Sequence, residues 1–273
     1  MFAQTAFQTI ICDTPRPQVA RITLNRPKTL NAYTFAMCGE LRQAIAQFAD
    51  DDELRALIFT GAGERAFCTG GDLSGDDPAH SRQVATQPMG HGREMRDGMQ
   101  AVVLALRRLD KPSVAMVRGY AVAGGLALAL ACDFRFAGAE AKLGDTSGKA
   151  GLLPDEGGAW LFPRAMGLDR ALKMTLLHEV YDAERAAALG LVTEVCPDAD
   201  LEARTFEFCD ALAAKAPLAV RLTKMMMAKG LETGFEASLV DAQMAVMVTN
   251  PSEDVREGVA AFREKRAPKF KGR

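Results

Sequence analysis

Short stretches of the chain alternate between apolar and polar residues, as half-buried strands do. Residues 20–24 show this alternation most clearly. The continuous apolar runs at 57–60 and 113–117 are typical of strands that are buried on both faces. Another strand is predicted near 134–137. Strands of these kinds, separated by helices, favour an α/β fold with a mostly parallel sheet.

Apolar residues recur at helical spacing in three other parts of the chain. A first helix follows Thr34, whose hydroxyl can cap it, and its apolar residues lie between 37 and 48. A second helix is predicted over 95–106. From about residue 168 the pattern is almost wholly helical, apart from a short strand predicted at 191–195.

Residues 74–92 show neither period. They mix glycine, proline, serine and aspartate, so a long loop is predicted there. By contrast, Gly124 and Gly125 open the wholly apolar segment 126–131, which is short and must be buried. The chain therefore divides into an α/β part and a helical C-terminal part.

Composition excludes several classes of function. The 33 basic and 35 acidic residues nearly balance, so no overall charge favours nucleic acid or an anionic membrane, although residues 263–273 hold six basic side chains against one acidic one. The six cysteines include no C-x-x-C pair, which predicts reduced thiols in a cytoplasmic protein without a zinc ribbon. No signal peptide is expected, and the longest uncharged run, 119–132, is shorter than a membrane span. No metal site is expected from His80, His91 and His178, which share no ligand spacing.

Two glycine-rich turns, each after a buried strand, are the strongest candidates for chemistry. One contains Gly70-Gly71, and the other contains Gly124-Gly125. Backbone N–H groups exposed at such turns can converge on one oxygen and form an oxyanion hole. The same glycines equally suit tight turns and close packing. The G-x-G-x-x-A segment at 61–66 is not followed by a helix start, so a dinucleotide site is not expected.

Ordered landmarks over most of the chain make it similar to a known family. One is Phe67-Cys68-Thr69-Gly70-Gly71-Asp72-Leu73. In chain order the landmarks are 22–28, 30–32, 66–73, 111–112, 119–121, 124–125, 131–133, 151–154, 157–158, 188–192 and 260–266. From about Val19 to the C-terminus the chain resembles the crotonase superfamily, the enoyl-CoA hydratase/isomerase family.

This resemblance implies a spiral of ββα units over residues 1–200, which binds the acyl-CoA, and a helical trimerisation region over 201–273. Homotrimers, or hexamers made of two trimers, are then expected. The ligand would be an acyl-CoA thioester, with coenzyme A as part of the substrate and no separate cofactor. The family's oxyanion hole matches the N–H groups of Gly71 and Gly124. No nucleic-acid or membrane partner is expected.

The resemblance also assigns residues to the coenzyme A part of the ligand. Arg26 and Lys28 would meet its phosphates, and Phe262 and Lys265 would reach its adenine end from the C-terminal helix, including across a subunit boundary. The segment around the first glycine turn adds Ala66, Phe67, Gly70 and Asp72. The acyl pocket is expected to draw on Met89, Met95, Met99, Trp160 and Phe162, all of which are equally suited to the core.

The sequence departs from the family's hydratases at both water-activating glutamates. Their places are held here by Ala127 and Ser147, neither of which suits general acid–base work. Asp155 matches the place of a catalytic aspartate in some family isomerases, and Glu156 and Asp145 are further candidates. Alternatively, Asp155 caps the helix that begins near Gly157.

These departures favour a double-bond isomerase that uses one carboxylate, Asp155, to move a proton along a thioester enolate, with Glu156 as a further catalytic candidate. Two alternatives stay open. The chain is a hydratase with non-standard carboxylates, or an acyl-CoA-binding protein that has lost its chemistry.

Overall fold

Strands and helices alternate through the chain, and the computed structural model describes residues 2–74 and 78–273, except for the side chains of residues 4 and 78–81. The strands are β1 (Ile10–Arg16), β2 (Val19–Leu24), β3 (Ala56–Gly61), β4 (Ala66–Cys68), β5 (Ser113–Val117), β6 (Tyr120–Val122), β7 (Phe134–Gly138), β8 (Lys142–Gly144), β9 (Val180–Asp182) and β10 (Glu194–Cys196). The helices are α1 (Phe35–Asp50), α2 (Pro78–Thr86), α3 (Gly90–Asp97), α4 (Met99–Arg108), α5 (Gly124–Ala131), α6 (Gly158–Met166), α7 (Leu168–Leu177), α8 (Ala183–Ala188), α9 (Leu201–Ala213), α10 (Pro217–Gly230), α11 (Phe235–Thr249) and α12 (Glu253–Glu264). Short 3₁₀ turns lie at Phe2–Gln4, Pro27–Thr29 and Ser147–Ala150.

The strands form two sheets. The six-stranded sheet has the order β1-β2-β3-β5-β7-β10, and all its pairs are parallel except β1 with β2. The four-stranded sheet has the order β4-β6-β8-β9, with β4, β6 and β8 parallel and β9 antiparallel. The expected α/β fold with a mostly parallel sheet is confirmed.

The connection between the two sheets repeats along the chain. The pairs β3 and β4, β5 and β6, and β7 and β8 each place one strand in the large sheet and the next in the small sheet, and helices follow. Each repeat is therefore a ββα unit, and successive units add one parallel strand to both sheets. This arrangement is the spiral that the sequence resemblance implies.

Burial on both faces explains the apolar strands of the large sheet. Side chains of β3 alternate between two clusters, with Leu57 and Phe59 on one face and Ala56 and Ile58 on the other. The second cluster is closed by α9, whose Leu201 is fully buried. A strand covered on both faces cannot alternate with polar residues, so its apolar run is continuous.

Helix α5 lies at the centre of the fold. Every one of its residues is buried, which agrees with the apolar segment that follows Gly124. A helix that is apolar all round gains stability only where protein surrounds it completely. Its N-terminus is consequently held in one place by packing on every side.

The expected loop over 74–92 is wrong for much of its length. The chain forms α2 and α3 there, whereas residues 75–77 lie outside the described residues. Both helices are mainly polar, and Val84 is a rare buried apolar residue among them. A helical period cannot be recognised from so few apolar residues, and the sequence pattern therefore predicts a loop.

The expected helix over 95–106 is in fact two helices. Gly98 has φ −92° and ψ −116°, which is not helical, and it separates α3 from α4. Its backbone lies against Glu94 O and the ring of Phe35, so a side chain has no room there.

The strand expected at 191–195 is also shifted, because pairing with β7 begins only at Glu194. Strand β9 interrupts the part of the chain that was expected to be helical.

The C-terminal helices expose unusual amounts of apolar surface. On α11 only Ala245 is buried, while Phe235 and Met247 are 77% and 71% exposed.

The expected division of the chain into a core over 1–200 and an oligomerisation region over 201–273 stays a prediction. In the described ranges no helix is long and apolar enough to cross a membrane.

Candidate functional site

Three parallel strands of the small sheet end at one edge. The Gly70-Gly71 turn follows β4, Gly124 follows β6, and Asp145 follows β8. The N–H of Ala123 donates to Gly144 O at 3.1 Å, which joins the second and third of these strand ends. Carboxyl ends of neighbouring parallel strands lie together, so the sheet gathers both glycine turns and one carboxylate.

The N–H of Gly71 is directed away from its neighbouring strand. Tyr33 N–H donates to Gly70 O and Asp72 N–H donates to Tyr33 O, both at 2.9 Å, in a parallel bridge centred on Gly71. In such a bridge the central residue points its own N–H to the opposite side. Gly70 has φ +93°, and a Cβ on it would come within 3.3 Å of Gly124 N. The two turns are therefore in close contact.

Gly124 presents a second amide at the first position of α5. N–H groups in the first turn of a helix have no acceptor within that helix and form the positive end of its dipole. A Cβ on Gly124 would overlap Oε1 of Glu156 and approach Cε1 of Tyr33 to 2.8 Å. Glycine is required here because a carboxyl group and a phenol ring pack directly against its Cα.

Glu156 is the carboxyl group that packs against Gly124. Its side chain is buried, and Oε1 accepts a hydrogen bond of 2.6 Å from the Tyr33 hydroxyl. Oε2 is also buried and has no hydrogen-bond partner in the described part of the chain. Burial raises the pKa of Glu156 to about 7, the Tyr33 hydrogen bond opposes this rise, and the charge of neighbouring Asp155 adds to it.

Asp155 lies half-buried beside Glu156 in the turn before α6. Its carbonyl accepts a hydrogen bond of 2.8 Å from Nε2 of Gln100 on α4, which holds the turn in place. The alternative role of Asp155 as a helix cap is wrong. The residue at the cap is Gly157, with φ +118° and no capping side chain.

The two positions of the missing glutamates carry no acid. Ala127 is buried inside α5. The Ser147 hydroxyl donates to Oδ1 of Asp145 at 2.7 Å, and its backbone N–H donates to the same oxygen at 3.0 Å. Asp145 is fully buried, and its Oδ2 has no hydrogen-bond partner among the described residues. Asp145 is thus engaged with Ser147, whereas Glu156 contacts the glycine turn.

Arg26 and Asp72, both expected to contact coenzyme A, pair with each other. Their side chains form a 2.6 Å ion pair, and Arg26 also donates to Ala32 O at 2.6 Å. This pair braces the first glycine turn against the segment that follows β2. Lys28 is exposed on the 3₁₀ turn next to Arg26.

Other residues expected at the ligand lie on several different elements. Ala66 and Phe67 are buried, and only their backbone is left to meet a ligand. Phe262 on α12 is 86% exposed, and Lys265 ends that helix with φ +55°. Among the proposed acyl-pocket residues, Met99 and Phe162 are buried, Met95 and Trp160 are half-buried, and Met89 is exposed.

Two residues that shape the site, Tyr33 and Gln100, are not marked by any sequence motif. Neither side chain has a local spacing that marks chemistry. Tyr33 directly follows a segment of the family resemblance, 30–32, and this position is the only available signal. In the described side chains, no three of the His, Cys, Asp or Glu type are grouped to hold a metal ion, and the side chain of His80 lies outside them.

Comparisons with known proteins agree with this architecture. Residues 15–273 match the family described as enoyl-CoA hydratase/isomerase. The chain is 36% identical over 254 residues to (E)-benzylidenesuccinyl-CoA hydratase of Thauera aromatica, covering 93% of this chain and 96% of that protein. It is 34% identical to a mitochondrial enoyl-CoA hydratase domain-containing protein 2 of Mus musculus, covering 95% and 86%.

A solved structure shares the fold over nearly the whole chain. The crystal structure of an enoyl-CoA hydratase from Bacillus anthracis superposes with a TM-score of 0.89 at 32% identity, and the match covers 97% of this chain and all of the other. The ββα units and both glycine turns lie within the residues that match the family. The chain belongs to the enoyl-CoA hydratase/isomerase family, with the crotonase fold.

Proposed function

We propose that the protein is a double-bond isomerase of acyl-CoA thioesters in which Glu156 moves the proton. The observation that carries this proposal is the buried Glu156 carboxyl group packed against Gly124. An amide that stabilises a thioester oxygen and a carboxylate that exchanges a proton are then side by side. Substrate, proton carrier and oxyanion hole would occupy one small volume at the edge of the sheet.

The reaction requires one proton to leave one carbon and return to another. Ionised Glu156 would take a proton from the α-carbon of a 3-enoyl thioester, and the electron pair would shift to the carbonyl as an enolate. The N–H groups of Gly71 and Gly124 would stabilise that negative oxygen, a contribution of about 3–4 kcal/mol per donor in other oxyanion holes. Returning the proton to the γ-carbon gives the 2-enoyl thioester. The atoms balance without water or a redox cofactor.

The residues at the two positions where the family's hydratases carry glutamate support a reaction with one proton carrier. Ala127 has no ionisable group, and the Ser147 hydroxyl is directed to Asp145. Asp155 lies in the same turn as Glu156, and its charge raises the pKa of the Glu156 carboxyl group. We therefore assign the proton transfer to Glu156 and an electrostatic role to Asp155.

The ligand would lie across residues from several elements. We propose that Arg26, Lys28 and the 66–72 segment meet the coenzyme A part of the substrate. Phe262, exposed on α12, and the exposed Lys265 directly after that helix would reach its adenine end in a homotrimer or a hexamer. The protein would act in the cytoplasm, with coenzyme A as part of the substrate rather than as a separate cofactor.

A hydratase is the second candidate. It is favoured by the two consecutive carboxyl groups of Asp155 and Glu156, since water addition needs a base and an acid. The relative from Thauera aromatica is named as a hydratase. In this scheme one group would activate water while the other protonates the α-carbon.

Incubation of the full chain with 2-enoyl-CoA and 3-enoyl-CoA thioesters separates these functions. Isomerase activity interconverts the two substrates with no change of mass, whereas hydration adds the mass of water. Glu156→Gln should lower isomerisation by about a hundredfold or more, and Asp155→Asn should lower it less. Gly124→Ala should abolish turnover, because the added Cβ overlaps Glu156.

Other outcomes would contradict the proposal. Rapid water addition to the 2-enoyl thioester would show a hydratase. Binding of thioesters without turnover on either substrate would show an acyl-CoA-binding protein, and in that case Asp155→Asn would change only stability.

A further inference from the structure

Tyr33 connects three segments that build the site. Its backbone is hydrogen-bonded to Gly70 and Asp72 on either side of Gly71, both at 2.9 Å. Its side chain reaches Glu156, which is 123 residues away in the sequence. One residue therefore relates the position of the first glycine turn to that of the carboxyl group.

The backbone before Tyr33 is held firmly. Leu30 and Asn31 both have positive φ angles, of 54° and 56°. The buried side chain of Asn31 donates to Ala62 O at 3.0 Å and to Ala66 O at 2.8 Å. Asparagine tolerates the left-handed region better than most residues, and its two hydrogen bonds hold the turn against β4. The phenol of Tyr33 is thereby directed to one place.

The two oxygens of Glu156 have different surroundings. Oε1 accepts from the Tyr33 hydroxyl and lies over the Cα of Gly124. Oε2 is buried and lacks a hydrogen-bond partner within the described residues. With Oε1 held by the phenol, Oε2 is the oxygen left for proton exchange. The other titratable groups that interact with Glu156 are neighbouring Asp155 and buried Cys68 on β4.

We propose that Tyr33 is a positioning residue, whose hydroxyl holds Oε1 of Glu156 so that Oε2 faces a thioester bound over Gly124. The inference rests on the proton-transfer role of Glu156 proposed above. Tyr33 does not itself exchange a proton with the substrate. Its effect is exerted through the geometry and the ionisation of the carboxyl group.

The hydrogen bond has a consequence that can be measured. A hydroxyl that donates to a carboxylate stabilises the charged form, whereas burial destabilises it. Loss of the Tyr33 hydroxyl should therefore raise the pKa of Glu156 further above its usual range. A residue that only filled space would leave the titration of Glu156 unchanged.

The test compares Tyr33→Phe with Tyr181→Phe in the full chain. Tyr181 on β9 is a matched control, because its hydroxyl also donates to a glutamate, Glu179, at 2.6 Å. The first readout is the ¹³C carboxyl resonance of Glu156 during a pH titration without substrate, assigned through Glu156→Gln. The second is the pH profile of kcat/KM for isomerisation.

In Tyr33→Phe both midpoints should move upward by roughly one pH unit, as expected for loss of one hydrogen bond to a charged group. KM should stay within about twofold, since uniform binding of the thioester is not removed. Tyr181→Phe should leave both midpoints unchanged. Replacing tyrosine by 3-fluorotyrosine in the Tyr181→Phe chain, which strengthens the Tyr33 donor, should move the midpoints downward.

An unchanged Glu156 midpoint in Tyr33→Phe and in the fluorinated protein would overturn the positioning role. The fluorinated protein retains the full phenol, so it decides the question even if Tyr33→Phe does not fold. If the resonance shifts as expected but no thioester is converted, the Tyr33–Glu156 interaction is supported and the proposed isomerase function is wrong.

Discussion

At the scale of single residues, the ionisation of Glu156 is linked to folding. Burial raises its pKa from 4.5 in the unfolded chain to about 7 in the folded one. The folded state therefore binds a proton more tightly, and protonation favours folding. The stabilisation is fully present below about pH 4.5 and is lost as the pH rises through about 7.

Glu156→Gln should remove this dependence on pH. Relative to the variant, the wild-type free energy of unfolding should fall between pH 4.5 and 8 by an amount on the order of 3 kcal/mol. Urea denaturation at several pH values and one protein concentration measures it. Glu232→Gln, at an exposed glutamate, is the control. Parallel curves for wild type and Glu156→Gln would show that the buried carboxyl group does not bind its proton more tightly when folded.

Residue identity alone predicted part of the site. The order of the glycine turns and the absence of glutamate at 127 and 147 are properties of the sequence. The choice between Asp155 and Glu156 is not, because the two are neighbours with similar chemistry. Only the path of the turn before α6 shows which side chain lies against Gly124.

At the scale of elements, helix ends depend on distant partners. The C-terminus of α1 is completed by Lys111, whose Nζ donates to Phe48 O at 3.0 Å and to Asp51 O at 2.7 Å. Lys111 is buried, and that burial lowers its pKa. Both carbonyls also accept a backbone N–H, Phe48 O from Asp51 at 3.4 Å and Asp51 O from Leu54 at 3.0 Å, so the lysine adds a second, charged donor to each.

Lys111→Met should lower the free energy of unfolding by about 1.5–3 kcal/mol, because it removes the charged donor that both carbonyl groups share. The exposed Lys173, paired with Glu179 at 3.2 Å, provides a comparison. Lys173→Met should change stability by less than about 1 kcal/mol. Thermal denaturation of both variants measures the difference, and equal effects would contradict a capping role for Lys111.

The elements most accurately predicted are those whose periodicity reflects burial. Helix α1 and strands β3 and β5 follow their apolar residues closely. The pattern does not predict helices α2 and α3, because their described side chains include few buried apolar ones. Apolar residues recur at helical spacing where a helix packs against a core, and this spacing is absent where a helix has little contact with the core.

At the scale of the whole molecule, α11 has an apolar surface with little cover. Phe235, Met244 and Met247 are all more exposed than buried on this helix. Large exposed apolar patches are typical of association surfaces. We expect this face to be covered by other copies of the chain in the proposed trimer.

Light scattering at micromolar concentration should give about three times the 29.3 kDa mass of one chain, or about six times for a hexamer. Met247→Glu should reduce the measured mass, because a charge buried in an apolar interface is strongly unfavourable. Ile11→Glu, a similar change at a 48% exposed position on β1, should not. A monomeric wild-type protein would exclude the trimer.

The sequence by itself determined helix α1 and the buried strands β3 and β5, where the glycine turns occur and, through the family resemblance, that both hydratase glutamates are missing. These properties depend on local period and residue type. The tertiary structure decided that Glu156 is the carboxyl group at Gly124 and that Tyr33 anchors it across 123 residues. Such contacts arise from the order of strands in the small sheet and the return of the 154–157 turn, which no local pattern encodes.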